Sequence, residues 1–129
     1  MRILPLSATD KDILDVAREW TDLLATDAYD RALELVDPGP NWTPSLLRSV
    51  ISNYGSVQPR TDHMAFRVTA RDAARGEPAP RHHVDRRNNR IAVWFDLPLN
   101  DAWSDLTATF DVVENSGGLV LRLDDVHVM

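Results

Sequence analysis

The chain has 129 residues, of which 43% are hydrophobic and 26% charged, with a formal net charge of −6 and no cysteine. This length and composition fit one globular domain, and the lack of cysteine excludes disulfides, thiolate metal sites and a cysteine nucleophile. An acidic chain is a poor general binder of nucleic acid, because phosphate neutralisation supplies most of that affinity. No apolar run approaches the roughly 20 residues of a membrane span, and no leader pattern opens the chain, so we expect a cytoplasmic protein.

The N-terminal part carries apolar side chains at helical spacing behind three helix starts. Thr9 followed by Asp12 is a short form of the capping box. Asp27 opens a second segment, and Thr43 precedes a proline at the first helical position, where a missing N–H costs nothing. The pattern predicts three amphipathic helices over about 10–55.

The apolar period then changes from helical to two. Four segments alternate in this way, at residues 63–68, 91–97, 106–112 and 119–128. Such alternation predicts an antiparallel sheet over about 62–129 that is covered on one face. The fold class expected is therefore α+β, with three N-terminal helices packed on a curved four-stranded antiparallel sheet in a cone-like arrangement.

Two irregularities interrupt the sheet pattern. In the last strand the apolar positions are odd-numbered up to Leu123 and even-numbered from Val126. Because side chains alternate strictly along a strand, this change predicts a β-bulge or bend near Asp124-Asp125. Residues 70–89 lack any periodicity and contain glycine and proline, which predicts a long mobile loop between the first two strands.

The inner face of the predicted sheet offers no catalytic group. On this register it carries apolar side chains only, such as Phe95 and Phe110, which favours a filled core over a pocket. Four residues at the predicted pocket mouth are left as candidates for acid–base work, namely Tyr54, Asp62, His63 and Asp96. Each of them also has an ordinary structural interpretation, as a ring at the edge of the core or a polar group of a strand.

The surface offers stronger candidates. Trp94 and Val120 alternate away from the predicted core, and an outward tryptophan among small residues is typical of an interface. Residues 71–90 contain six arginines against three acids, and guanidinium groups pair with carboxylates or phosphates. The arginines considered for partner binding are Arg81, Arg86, Arg87 and Arg90. The same arginines could instead pair with the acidic body of this chain or of a second copy.

Metal and cofactor sites are not predicted. His82, His83 and Asp85 are suitable ligand types, but adjacent histidines in a loop rarely converge with further ligands. No glycine-rich phosphate loop precedes a helix. We therefore expect no cofactor and no metal.

The order of helices followed by a curved sheet with a bent last strand resembles the nuclear transport factor two-like and ketosteroid isomerase-like (cystatin-like) α+β cone superfamily. Two stretches carry the resemblance: residues 27–38 followed by 42–47, and residues 103–107 leading into 117–121. The second stretch also resembles a group of small bacterial proteins. The resemblance covers nearly the whole chain, and it implies the cone fold while leaving the activity open, because the superfamily contains isomerases, hydrolases, transport adaptors and binding-only domains.

Two functional hypotheses follow. The first is a non-catalytic binding or accessory domain that acts through protein–protein contacts, with a homodimer as the simplest case and a bacterial immunity-type protein as a specific form. The alternative is a small cone-fold enzyme of isomerase or hydrolase type that uses a pocket-mouth Asp or His. An inner cavity of several hundred cubic ångströms holding one of those side chains would favour the enzyme, and a packed interior would exclude it.

Overall fold

The computed structural model describes residues 1–56, 65–77 and 79–129. The helices are α1 (Asp10–Ala25), α2 (Tyr29–Leu35) and α3 (Pro44–Ser52), followed by a 3-10 turn at Arg71–Ala73. The strands are β1 (His82–Arg87), β2 (Arg90–Leu99), β3 (Ala102–Asn115) and β4 (Gly118–Val128). They pair antiparallel in the order β1-β2-β3-β4 as one open sheet, which confirms the α+β class with three helices and four strands.

Two of the three predicted helix starts have the expected caps. The Thr9 side chain accepts a hydrogen bond from the Asp12 backbone N–H, and the Asp12 carboxylate accepts one from the Thr9 backbone N–H. At the start of α3 the Thr43 side chain accepts a hydrogen bond from the Leu46 backbone N–H. The second start differs: α2 begins at Tyr29 without a side-chain cap, and the Asp27 carboxylate accepts a hydrogen bond from Arg48 instead.

The helices and the inner face of the sheet enclose one apolar core. Trp20 of α1 is fully buried and meets Phe110 of β3 edge to face, with ring centroids 5.1 Å apart. Phe95 and Leu121 from the neighbouring strands are buried in the same cluster. Each large apolar side chain removed from water in this way contributes about 1.5–3 kcal/mol. The expectation of a filled core is met by these side chains.

The predicted irregularity of the last strand is a β-bulge. Thr109 of β3 pairs with Asp125, whereas the next residue, Phe110, pairs with Leu123, so Asp124 is an extra residue in β4. The insertion lets Leu123 and Val126 both face the core despite their different parity, since both are buried.

The first strand lies elsewhere than the sequence pattern indicates. The only part of segment 63–68 that pairs within the described residues is Val68, which forms an isolated bridge with Leu99. The strand β1 falls instead inside residues 70–89, which were predicted as a loop. This prediction was wrong because β1 has a single buried residue, Val84, and its other side chains are polar, so no alternation marks it.

Short turns join all four strands. Asn88 and Asn89, Asn100 and Asp101, and Ser116 and Gly117 form two-residue connections in which both residues have positive φ. Such turns match the right-handed twist of the strands they join. The sheet is therefore a meander of three tight hairpins.

The outer edge of β4 is not free. Leu4 and Leu119 exchange two backbone hydrogen bonds of 2.8 Å, and the Asp37 backbone bonds to Leu121 and Leu123. Edge strands covered in this way are poor templates for uncontrolled pairing. No helix among the described residues is long and apolar enough to cross a membrane.

Gly118 allows the N-terminal segment to lie against β4. A Cβ atom on this residue would overlap the Leu4 carbonyl oxygen and the Ile3 side chain. We expect Gly118→Ala to lower the free energy of unfolding by about 2 kcal/mol, because the backbone must move to relieve the overlap. Urea denaturation measures the loss, and hydrogen exchange should show faster exchange of the Leu4 and Leu119 amides.

Gly117→Ala is the matched control. Gly117 has a φ of +81° with nothing near its missing Cβ, so the substitution costs about 1 kcal/mol of backbone strain. The Leu4 and Leu119 amides should stay protected in this variant. Equal exchange rates in the two variants would contradict the role given to Gly118.

Candidate functional site

Tyr54 and Asp96 line the same cleft. This cleft, here called the Asp105 cleft, has a volume of about 530 Å³ at one end of the sheet. Its other lining residues are Glu77, Ala79, Arg81, Trp103, Ser104, Asp105 and Met129. The remaining pocket-mouth candidates, Asp62 and His63, lie outside the described residues.

Asp96 is held in place from three directions. It is the one charged residue among those described that is buried, at 4% exposure. The Arg81 guanidinium donates to both carboxylate oxygens at 3.0 and 3.2 Å, and the Arg81 backbone N–H donates at 2.8 Å. Thr107 adds a hydroxyl donor at 2.7 Å. A buried carboxylate is stable only when it is paired in this manner, and the pairing raises the pKa of Arg81 through the hydrogen bond to Asp96.

A second bulge shapes this end of the sheet. Asp96 pairs with Thr107 and Pro98 pairs with Trp103, so three residues of β3 face the single residue Leu97 of β2. The Ser104 hydroxyl donates to the Leu97 carbonyl oxygen at 2.7 Å and so replaces a backbone bond of the ladder. Proline within a strand marks such places, because it has no N–H to donate. Pro98 was therefore a signal for the site that the sequence analysis did not use.

Tyr54 acts as a hydrogen-bond donor. It follows α3 with a φ of +54°, and its hydroxyl donates to the Asp105 carboxylate. Burial raises the pKa of the Tyr54 phenol, and the hydrogen bond to Asp105 raises it further. The phenol consequently keeps its proton at neutral pH, which suits a donor and not a general base.

Trp103 separates the Asp105 cleft from a second one. The neighbouring cleft, here called the His82 cleft, has a volume of about 600 Å³ and is lined by Asp22, Arg71, His82 and Trp103 among others. The Arg71 guanidinium holds both oxygens of Asp22 at 2.7 and 2.9 Å. The two clefts therefore share one aromatic wall.

His82 corrects the expectation that the inner face is free of titratable groups. It pairs with Phe95 across the sheet and stacks on that ring, with centroids 3.7 Å apart. Burial lowers the pKa of His82 below its ordinary 6.5. The group was missed because β1 was not predicted as a strand.

The arginines of residues 71–90 pair mostly with this chain's own acids. Besides the Arg71–Asp22 and Arg81–Asp96 pairs, Arg86 contacts Asp10 at 2.8 Å, Arg87 contacts Asp85 at 3.0 Å and Arg90 lies 3.7 Å from Asp111. Exposed pairs of this kind contribute little stability each. Arg87 and Arg90 stay about four-fifths exposed despite these contacts.

The two outer-face candidates differ. Trp94 is 37% exposed and meets the His83 ring edge to face at 6.2 Å, so it is available to a partner. Val120 is fully buried, and its prediction as an accessible contact was wrong. Chain segments that the strand pattern could not reveal, at Leu4 and Asp37, pair with β4 on either side of it.

His82 and His83 do not converge on one site. His82 and His83 are consecutive in β1 and therefore point to opposite faces of the sheet. Within the described residues no group of three or more His, Asp or Glu side chains could hold a metal ion.

The lowered pKa of His82 links stability to pH. The unfolded chain binds the His82 proton more tightly than the folded chain does, so stability falls as the pH drops below about 6.5 toward the folded pKa. We expect His82→Phe, which keeps the stacking on Phe95, to make this fall smaller. Urea denaturation between pH 7.5 and 5.5 measures it. In the control His83→Phe an exposed ring changes, so the free energy of unfolding should fall with pH as steeply as in the wild type. An equally steep fall in His82→Phe would contradict the assignment of the pH dependence to His82.

The comparisons with known proteins give one family. A model of the family described as "Domain of unknown function (DUF7668)" matches residues 21–129, which include α2, α3, the whole sheet and both clefts. No curated protein and no solved structure matches the chain. Because the match covers most of its length, the chain belongs to the DUF7668 family.

Proposed function

We propose that this protein is a non-catalytic binding domain that pairs with a second copy of itself through the outer face of its sheet. The observation that carries the proposal is Trp94, a large aromatic side chain exposed in the middle of β2, where the residues paired with it on the neighbouring strands are His83 and Thr109. Aromatic side chains of this kind dominate the energy of protein interfaces.

The charges around Trp94 suit pairing between identical surfaces. Arg87 and Arg90 flank the β1–β2 turn with side chains about four-fifths exposed. Asp124 and Asp125 are exposed at the bulge of β4, where Asp125 continues the row that runs from Trp94 through Thr109. In a two-fold dimer the same patch meets itself, so a face with both signs of charge can oppose arginine to aspartate.

The state of the cleft residues supports binding over catalysis. The Asp96 carboxylate oxygens accept hydrogen bonds from Arg81 and Thr107, and the Tyr54 hydroxyl donates to Asp105. A general acid or base must be able to exchange a proton with a substrate. These contacts within the chain occupy both candidate groups, which supports binding.

The fold relationship is part of the same proposal. The helices-first order and the bent β4 support membership of the α+β cone superfamily, in which binding-only domains occur beside enzymes. A narrower form of the proposal is a cytoplasmic bacterial protein of immunity type, and it predicts a toxin gene beside the gene for this chain.

Trp94→Glu tests the interface. We expect the wild type to sediment as a dimer and the variant to raise the dimer dissociation constant at least about 30-fold, since an anchor residue contributes 2 kcal/mol or more. Analytical ultracentrifugation over a dilution series measures the constant. Leu6→Glu places the same charge on another exposed apolar residue and should leave the dimer unchanged.

Two outcomes would overturn the proposed pairing. A monomeric wild type at high micromolar concentration excludes it. An equal effect of Trp94→Glu and Leu6→Glu assigns the pairing to another surface. Both variants should melt within a few degrees of the wild type, because neither side chain belongs to the core.

A second candidate function is the small cone-fold enzyme. It is favoured by the convergence of Tyr54 and Asp96 on the Asp105 cleft and by His82, whose lowered pKa leaves it neutral at pH 7. The test is hydrolysis of 4-nitrophenyl acetate and α-proton exchange of a simple ketone in deuterated water. Turnover that disappears in Asp96→Asn or His82→Phe would replace the binding proposal. If the protein is a binding domain, the wild type and the two variants should react at equal rates.

A further inference from the structure

The Asp105 cleft has no role in the proposed pairing, yet its size lies in the range of small-molecule sites, which is about 300–1,000 Å³. Its walls combine two aromatic rings with carboxylates, and this combination selects a particular ligand chemistry. We infer that the Asp105 cleft binds a small organic cation that carries an ammonium group, between Trp103, Tyr54, Glu77 and Asp105.

The charge of the cleft follows from its ion pairs. The Arg81 Nε and Nη2 groups donate to Asp96 and Thr107, so the positive charge of Arg81 is paired with Asp96. Glu77 and Asp105 line the same space, and neither forms an ion pair with a described residue. The cleft therefore keeps negative charge after the internal pair is counted, which favours a cation and repels an anion.

The aromatic walls favour the same class of ligand. Trp103 gives the strongest attraction between a ring face and a cation, and Tyr54 is a second ring. The Tyr54 hydroxyl donates to the Asp105 carboxylate, which leaves the other acceptor sites of that carboxylate open to an incoming ammonium group. A neutral molecule of the same shape would lose both the ring attraction and the carboxylate contact.

The geometry around the cleft is set before any ligand arrives. The β3 bulge at Ser104 positions Asp105, and the Trp103 backbone N–H donates to the Arg75 carbonyl oxygen at 2.8 Å. The His82 ring lies edge to face against Trp103 at 5.3 Å and fixes the far side of the indole. A preformed site of this kind loses little entropy on binding.

Titration with butylammonium chloride tests the inference. We expect a saturable shift of the Trp103 indole N–H signal in nitrogen–proton correlation spectra, assigned by its absence in Trp103→Phe. Sodium acetate and 1-butanol at the same concentrations should give no saturable shift. The affinity should fall several-fold when the salt concentration is raised to 0.5 M, because the contact is partly exposed.

Two glutamate variants distinguish binding in the Asp105 cleft from a general attraction of the cation to an acidic protein. Glu77→Gln should weaken butylammonium binding about threefold to tenfold. Glu114→Gln removes the same charge near the far end of β3 and should leave binding unchanged. Equal weakening in both variants, or binding of 1-butanol as tight as that of butylammonium, would overturn the inference.

The test is independent of the proposed pairing. The residues changed in this test are Glu77, Trp103 and Glu114, which are all distinct from Trp94. A monomeric protein that binds butylammonium would contradict the proposed pairing and support the cleft as a cation site. A dimer that does not bind butylammonium would support the pairing and contradict the cation site.

Discussion

The strict alternation of side chains along β3 and β4, and the single residue that interrupts it, determine the rest of the structure. Asp124 is inserted between two paired segments, so the apolar residues on either side of it reach the same core although their parity differs. A sheet that bends at this point can close over Trp20 and its neighbours with few gaps. A filled inner face leaves the ends and the outer face of the sheet as places where a partner or ligand can bind.

The second bulge, between β2 and β3, converts the end of the sheet into a site. It carries Asp105 and Trp103 into the space beside the Arg81–Asp96 pair, and it uses a serine hydroxyl in place of a backbone bond. Asp96 is the buried partner of this pair, whereas the Arg81 side chain is about half exposed. Removing Arg81 would leave the buried Asp96 carboxylate without its charged partner, which explains why so many donors surround Asp96.

Periodicity was enough to predict the class, the three helices, three of the four strands and the bulge near Asp124. It failed for β1, because an edge strand with one buried valine has no alternation to detect, although the Asn88-Asn89 dipeptide marked the turn behind it. That miss also hid His82 on the inner face. Val120 was misjudged as well: it is buried, and segments from far away in sequence pair with β4 on either side of it, which alternation along a strand does not reveal. The structure places the acid–base candidates Tyr54 and Asp96 in one cleft, whereas their partners Asp105 and Arg81 could be assigned only in three dimensions.

We have proposed that this chain pairs through the outer face of its sheet. The most direct test is a series of amide nitrogen–proton correlation spectra recorded from 10 micromolar to 1 millimolar protein. Pairing through this face should give concentration-dependent shifts confined to residues around Trp94, such as His83 and Thr109, with the core residues Phe110 and Leu121 unchanged. Spectra that do not change with concentration, or changes centred on another surface, would contradict it.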